Sequence, residues 1–114
     1  MPNVVIQVNK NGDDYFNKVL NNMTNLKNKL GDELVECEVV VFGDGLDLLV
    51  SEDEAIRKRI EAILEMGIRF VVCNNTLTRK NVKIDDLTCS VNAAGSGVAH
   101  LVTRQAEGWA YLAL

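Results

Sequence analysis

Val39-Val40-Val41-Phe42 places apolar side chains at successive positions and then stops at Gly43-Asp44-Gly45. Side chains alternate between the two faces of a strand, so a strand of this kind has no face to offer water and must be covered on both. Such strands belong to parallel sheets, whose crossover helices lie across the faces.

The rest of the chain follows the same pattern. Val4-Val5-Ile6-Gln7-Val8 is β-branched and runs into the turn signal Asn9-Lys10-Asn11-Gly12. From Asp13, the expected N-cap, Phe16, Val19, Leu20, Met23, Leu26 and Leu30 recur at helical spacing, and Gly31 supplies the stop. Leu34 to Phe42 is the second strand. Ser51 and Glu54 have capping-box spacing, and Ile56, Ile60, Ile63 and Leu64 line one face of a helix that Gly67 closes. Ile68 to Cys73 is a third strand, followed at once by Asn74-Asn75-Thr76, which cap a helix or form a tight turn. A short polar helix or loop leads through Arg79, Lys80, Asp85 and Asp86 to a brief fourth strand around Ser90 to Ala94. Gly95-Ser96-Gly97 opens a last helix with Val98, Leu101, Val102 and Gln105 on one face, Gly108 ends it, and Trp109 to Leu112 forms a final strand. The order βαβαβ(α)βαβ predicts an α/β domain with a mainly parallel sheet of five strands.

Composition bounds the function. With 114 residues, 47% hydrophobic and 25% charged, the chain is predicted to be one domain over residues 1–114, able to build a core without disulfides or a structural metal. No segment approaches the roughly 20 uninterrupted apolar residues of a membrane span. Met1-Pro2-Asn3-Val4-Val5 lacks the basic and then apolar pattern of a secretion signal, so a cytoplasmic location is expected. Cys37, Cys73 and Cys89 form an odd set with no C-x-x-C pair, and His100 is the single histidine, which argues against a disulfide framework and against a zinc site. A net charge of −4, with Asp44, Asp47, Glu52, Asp53 and Glu54 clustered, argues against nucleic acid as a partner. Gly43-x-Gly45 and Gly95-x-Gly97 each resemble half of a dinucleotide fingerprint, but neither reaches a third glycine and no phosphate-binding G-x-x-x-x-G-K-[ST] loop exists, so no nucleotide cofactor is expected.

Reactive groups in such sheets collect beyond the carboxyl ends of the strands. Gly43-Asp44-Gly45, Cys73-Asn74-Asn75-Thr76 and Gly95-Ser96-Gly97 all lie there, and the second carries a nucleophile. A thiol at a strand-to-helix junction meets unpaired backbone N–H groups, which favour the thiolate. Cys73 read from position alone fits equally the last buried side chain of an apolar strand. Cys37, between Glu36 and Glu38, points at the core and reads as structural. Cys89 reads as half-buried, with a resolving role only where the fold brings it near Cys73. His100 is a candidate base for Cys73, or a partner of a backbone carbonyl or of a subunit interface. Trp109 and Tyr111 read as a core strand or as interface anchors.

Three stretches carry a resemblance to the DsrE/DsrF-like family, small proteins of sulfur metabolism that pass persulfide sulfur between proteins. Ser96-Gly97-Val98-Ala99-His100-Leu101-Val102-Thr103-Arg104-Gln105-Ala106-Glu107-Gly108-Trp109-Ala110-Tyr111-Leu112 is similar to the family's closing element. Phe70-Val71-Val72-Cys73-Asn74-Asn75-Thr76-Leu77 resembles the strand that ends in its reactive cysteine, and Val39 to Leu46 resembles its strand and glycine turn. The resemblance implies the DsrEFH-like fold, a three-layer α/β/α sandwich, with assembly into trimers or hexamers and Cys73 as the sulfur-carrying residue. His100 stands where many members have a carboxylate, and the proline common before the last helix is absent.

The reading that follows is a sulfur relay. Cys73 accepts and transfers persulfide sulfur between donor and acceptor proteins, Asn74, Asn75 and Thr76 stabilise the anion, and Gly43, Gly45, Gly95 and Gly97 shape the pocket. No metal or organic cofactor enters it. The rival is a non-catalytic oligomeric module that binds a small anionic metabolite or a protein partner, with Cys73 inert. Hydrolysis by a Cys73–His100 pair is a third reading.

Overall fold

The computed structural model describes residues 2–114; Met1, where the reading of the amino terminus begins, lies outside the described residues. The elements are β1 (Asn3–Val8), α1 (Asp13–Leu30), β2 (Glu36–Val41), α2 (Glu54–Glu65), β3 (Arg69–Cys73), α3 (Asn74–Lys80), β4 (Asn92–Ala94), α4 (Gly97–Ala106) and β5 (Ala110–Ala113). Short 3₁₀ segments occupy Gly31–Glu33, Gly43–Leu48 and Ile84–Asp86. The strands form one sheet in the order β4-β3-β2-β1-β5, and every pairing is parallel.

That order explains the layers. From β1 to β4 the chain steps in one direction, and right-handed crossovers put the intervening helices on one face. The connection from β4 to β5 travels back across the sheet, so its helix, α4, lies on the other face. Phe16, Val19, Leu20, Ile56 and Ile60 accordingly pack on Val4, Ile6, Val8, Val39 and Val41, and Leu77 of α3 packs on Val72. On the opposite face, Leu101 and Trp109 cover Val5, Val40 and Val71. Val39, Val40 and Val41 are all fully buried, as a strand covered on both sides requires.

Several boundaries differ from expectation. Gly12, at φ 121°, precedes α1 in backbone space that side-chain-bearing residues rarely adopt, and Asp13 is the first helical residue instead of the cap. The cap of α2 is Asp53, whose Oδ1 accepts from the N–H groups of Ala55 at 2.9 Å and Ile56 at 3.4 Å. Ser51 does not cap; its hydroxyl accepts from the Asp53 N–H at 3.2 Å and so orients the residue that does. Because a 3₁₀ turn follows α1, Leu34 and Val35 fall outside the strand and β2 begins at Glu36. β4 is confined to Asn92–Ala94, at the edge of the sheet.

Candidate functional site

Cys73 is the last residue of β3 and the N-cap of α3, with 6% of its surface exposed. Burial alone would raise its pKa, yet hydrogen bonding to the Gly97 backbone, the Thr76 hydroxyl and the Thr76 and Asn75 backbones outweighs burial and lowers it. Those donors come from two helices. Asn75 and Thr76 lie in the first turn of α3, whereas Gly97 opens α4, which Ser96 caps by accepting from the Ala99 N–H at 3.2 Å.

Thr76 is buried, and its Oγ1 accepts from the Gly43 N–H at 3.0 Å, leaving the hydroxyl proton free to turn toward sulfur. Gly43, at φ 55°, thereby ties the turn after β2 to the cysteine. Gly45 sits so close to β1 that a Cβ there would meet the Val8 carbonyl oxygen at 2.3 Å, and its role is backbone packing. A Cβ on Gly97 would lie 3.1–3.2 Å from atoms of Phe42, so that glycine lets α4 lie flush on the end of the sheet. Gly95 has no such constraint, and the side chains of Asn74 and Asn75 face solvent.

His100 turns one ring nitrogen to Glu38. Its Nε2 lies 2.8 Å from Oε1 of Glu38, and an ionised carboxylate only accepts, so Nε2 carries the hydrogen. The polar contact of His100 is thus with Glu38, and the hydrolytic reading gains no His100–Cys73 contact from it. Glu38 is 2% exposed and also accepts from Arg104, at 2.8 Å from Nε and 2.9 Å from Nη2, and from Arg69 at 3.2 Å. Burial works to raise its pKa, but these hydrogen bonds hold the carboxyl down at about 2.

This cluster is absent from the sequence reading, which treats Glu38 only as a neighbour of Cys37. The available signal was alternation: Glu38 shares a face with Val40, so a carboxylate in a covered strand must find cations, and Arg69 and Arg104 supply them.

Cys37 is buried on the opposite face, and burial first, with the Glu38 charge adding, pushes its thiol up to about 11. Cys89 is half-buried and burial raises its pKa too. Among the described residues, no three His, Cys, Asp or Glu side chains converge to hold a metal ion. No helix among them is long and apolar enough to cross a membrane.

A parallel α/β/α sandwich with a buried thiol at the carboxyl edge of its sheet defines the class. A profile of the DsrE/DsrF-like family matches residues 3–114, and the chain belongs to that family. MTH1491 from Methanobacterium thermoautotrophicum, described as a protein of unknown function, is 33% identical over 100% of both chains with a TM-score of 0.83. BT1422 from Bacteroides thetaiotaomicron, also of unknown function, is 18% identical over 98% of this chain and 94% of its own, with a TM-score of 0.76. The ychN protein of E. coli is 14% identical over 100% of both chains, TM-score 0.78. No protein of curated function matches.

Proposed function

We propose that the protein is a sulfur carrier that accepts and transfers persulfide sulfur on Cys73. The observation that carries this reading is the place of Cys73, at the junction of β3 and α3 and beside the start of α4, where the Gly97, Thr76 and Asn75 groups lower its thiol pKa despite burial. The Cys73 thiolate attacks the outer sulfur of a donor persulfide R–S–SH, the donor S–S bond breaks, and RS⁻ leaves as Cys73–S–SH forms. An acceptor thiolate attacks the terminal sulfur in turn, regenerating the Cys73 thiolate. Both steps are sulfur exchanges without net oxidation, so neither calls for a cofactor. Such chemistry fits a reducing, cytoplasmic setting.

Assembly into a trimer or hexamer belongs to the same reading. One ten-residue helix covers the α4 face, Val98 and Val102 are 60% and 62% exposed on it, and Tyr111 and Leu112 are partly exposed on the edge strand β5. Copies of the chain meeting there would cover these side chains. Light scattering of wild type against Val102→Asp checks this: the variant runs as a monomer if the face is the contact.

The test of the carrier is intact and peptide mass spectrometry after incubation with a persulfide donor, comparing wild type with Cys73→Ser. One added sulfur on Cys73, removed by reductant and passed to an acceptor thiol, is the expected result. No adduct, or equal labelling of Cys37, Cys73 and Cys89, sinks the carrier and leaves the binding module, with its inert cysteine, as the better account.

A further inference from the structure

α4 has little apolar hold on the sheet. Where α1 buries Phe16, Val19, Leu20 and Met23, and α2 buries Ile56, Ile60 and Ile63, α4 buries only Gly97 and Leu101. A helix seated on so narrow a stripe can rotate or slide unless something else fixes it.

The fixing groups lie on the same helical face. Gly97, His100, Leu101 and Arg104 stand at positions i, i+3, i+4 and i+7, so all turn toward the sheet. His100 and Arg104 converge on one buried carboxylate, Glu38 of β2, which receives hydrogen bonds at 2.8 Å and 2.8 Å on Oε1 and at 2.9 Å and 3.2 Å on Oε2. Its third partner, Arg69, reaches across from β3 and also meets Glu36 at 3.2 Å. Arg104 is held further by Glu107 at 2.9 Å and by stacking over the Trp109 ring, 4.5 Å from its centroid. A fork on a carboxylate defines direction as well as distance, which an apolar contact does not.

Buried ion clusters are poor stabilisers compared with well-packed apolar side chains, and their best-attested use is to fix register. The first turn of α4 is where register matters here, since Gly97 has no slack against Phe42. Resting on the sulfur-carrier reading above, we propose that Glu38 is a positioning residue: by clamping His100 and Arg104 it holds the first turn of α4 against Phe42 at the end of β2 and beside the end of β3, where Cys73 pairs with Ala94, three residues before Gly97.

The experiment measures the alkylation rate of Cys73 against pH, resolved by peptide mass spectrometry, in wild type, Glu38→Gln and His100→Ala. Glu38→Gln is expected to raise the midpoint by about one pH unit, as loss of one well-placed donor to a thiolate would, and His100→Ala by about half a unit. In ¹H–¹⁵N spectra the Gly97 amide of wild type follows the Cys73 titration, and that link is lost in Glu38→Gln. A purely structural role would lower the urea midpoint and leave the Cys73 midpoint where it was. An unchanged midpoint in folded Glu38→Gln overturns the positioning role while the carrier reading stands. If Glu38→Gln does not fold, His100→Ala, which keeps the Arg104 fork, decides in the same way. A wild-type Cys73 that labels only after unfolding removes the carrier reading and the positioning role together.

Discussion

The two faces of the sheet solve burial by opposite means, and each holds a cysteine that reports the difference. The face under α1 and α2 is aliphatic and aromatic, and its Cys37 is pushed up to about 11 chiefly by burial. The face under α4 carries Glu38, Arg69, His100 and Arg104 beside its apolar residues, and its Cys73 is buried as well yet lowered, because backbone donors and a hydroxyl reach the sulfur. Burial therefore does not decide whether a thiol is inert. What surrounds it does: apolar walls leave the proton on, and N–H groups with nowhere else to donate help take it off.

Substitutions can break this contrast at several depths. Phe70 is a large, fully buried side chain of the α1 and α2 face, so Phe70→Ala should cost about 3–5 kcal/mol in urea unfolding. A midpoint for Cys73 alkylation that stays unchanged in that variant would show the two faces to be separable. Next comes acid. Glu38 has its pKa lowered in the fold from 4.5 to about 2, so its contribution is present above about pH 5 and is lost as pH falls toward 2. Roughly 3 kcal/mol should disappear across that window in unfolding experiments from pH 6 downward, and Glu38→Gln should flatten the loss.

Serine substitutions then test the cysteines directly. Cys37→Ser puts a hydroxyl among apolar side chains and should cost about 1–3 kcal/mol, whereas Cys73→Ser finds waiting donors and should cost under about 1 kcal/mol. Equal costs would mean that the two surroundings differ less than the geometry shows. The smallest effect is expected at the solvent side of α4, where Val102→Lys should change the stability of a single chain by less than about 0.5 kcal/mol.

Much of this architecture is legible in the amino-acid order. The run from Val39 to Phe42 demands cover on both faces, and the helical spacing of Phe16 to Leu30 and of Ile56 to Leu64 supplies it on one. Cys73 at a strand end and Gly97 at a helix start were both visible as local features. That both lie beyond the carboxyl ends of the strands follows from the rule for parallel sheets; that the Gly97 backbone acts on the sulfur itself does not, because it depends on how α4 seats across segments more than twenty residues apart. Glu38 escaped for a related reason: a single carboxylate in an apolar strand has meaning only once its cations, one on β3 and two groups on α4, are known to lie beside it. The caps of α1 and α2 were misplaced by one or two residues because Asp, Ser and Gly compete for the same position and only the chain's direction of entry chooses among them.

The placement of β1 between β2 and β5 has a consequence in time. β1 is made first and gains β2 early, but its other neighbour comes from the far end of the chain; the Tyr15 hydroxyl, just after β1, donates to the Leu114 carbonyl at 3.0 Å across a separation of 99 residues. At about 5–20 residues per second, translation leaves that edge without its partner for roughly 5–20 s. Throughout that interval Val4, Val5, Ile6 and Val8 border an open row of backbone hydrogen-bonding groups. Until β5 is available, then, the nascent chain offers β1 as an open edge to aggregation and to chaperone capture, and pairing with β5 closes it.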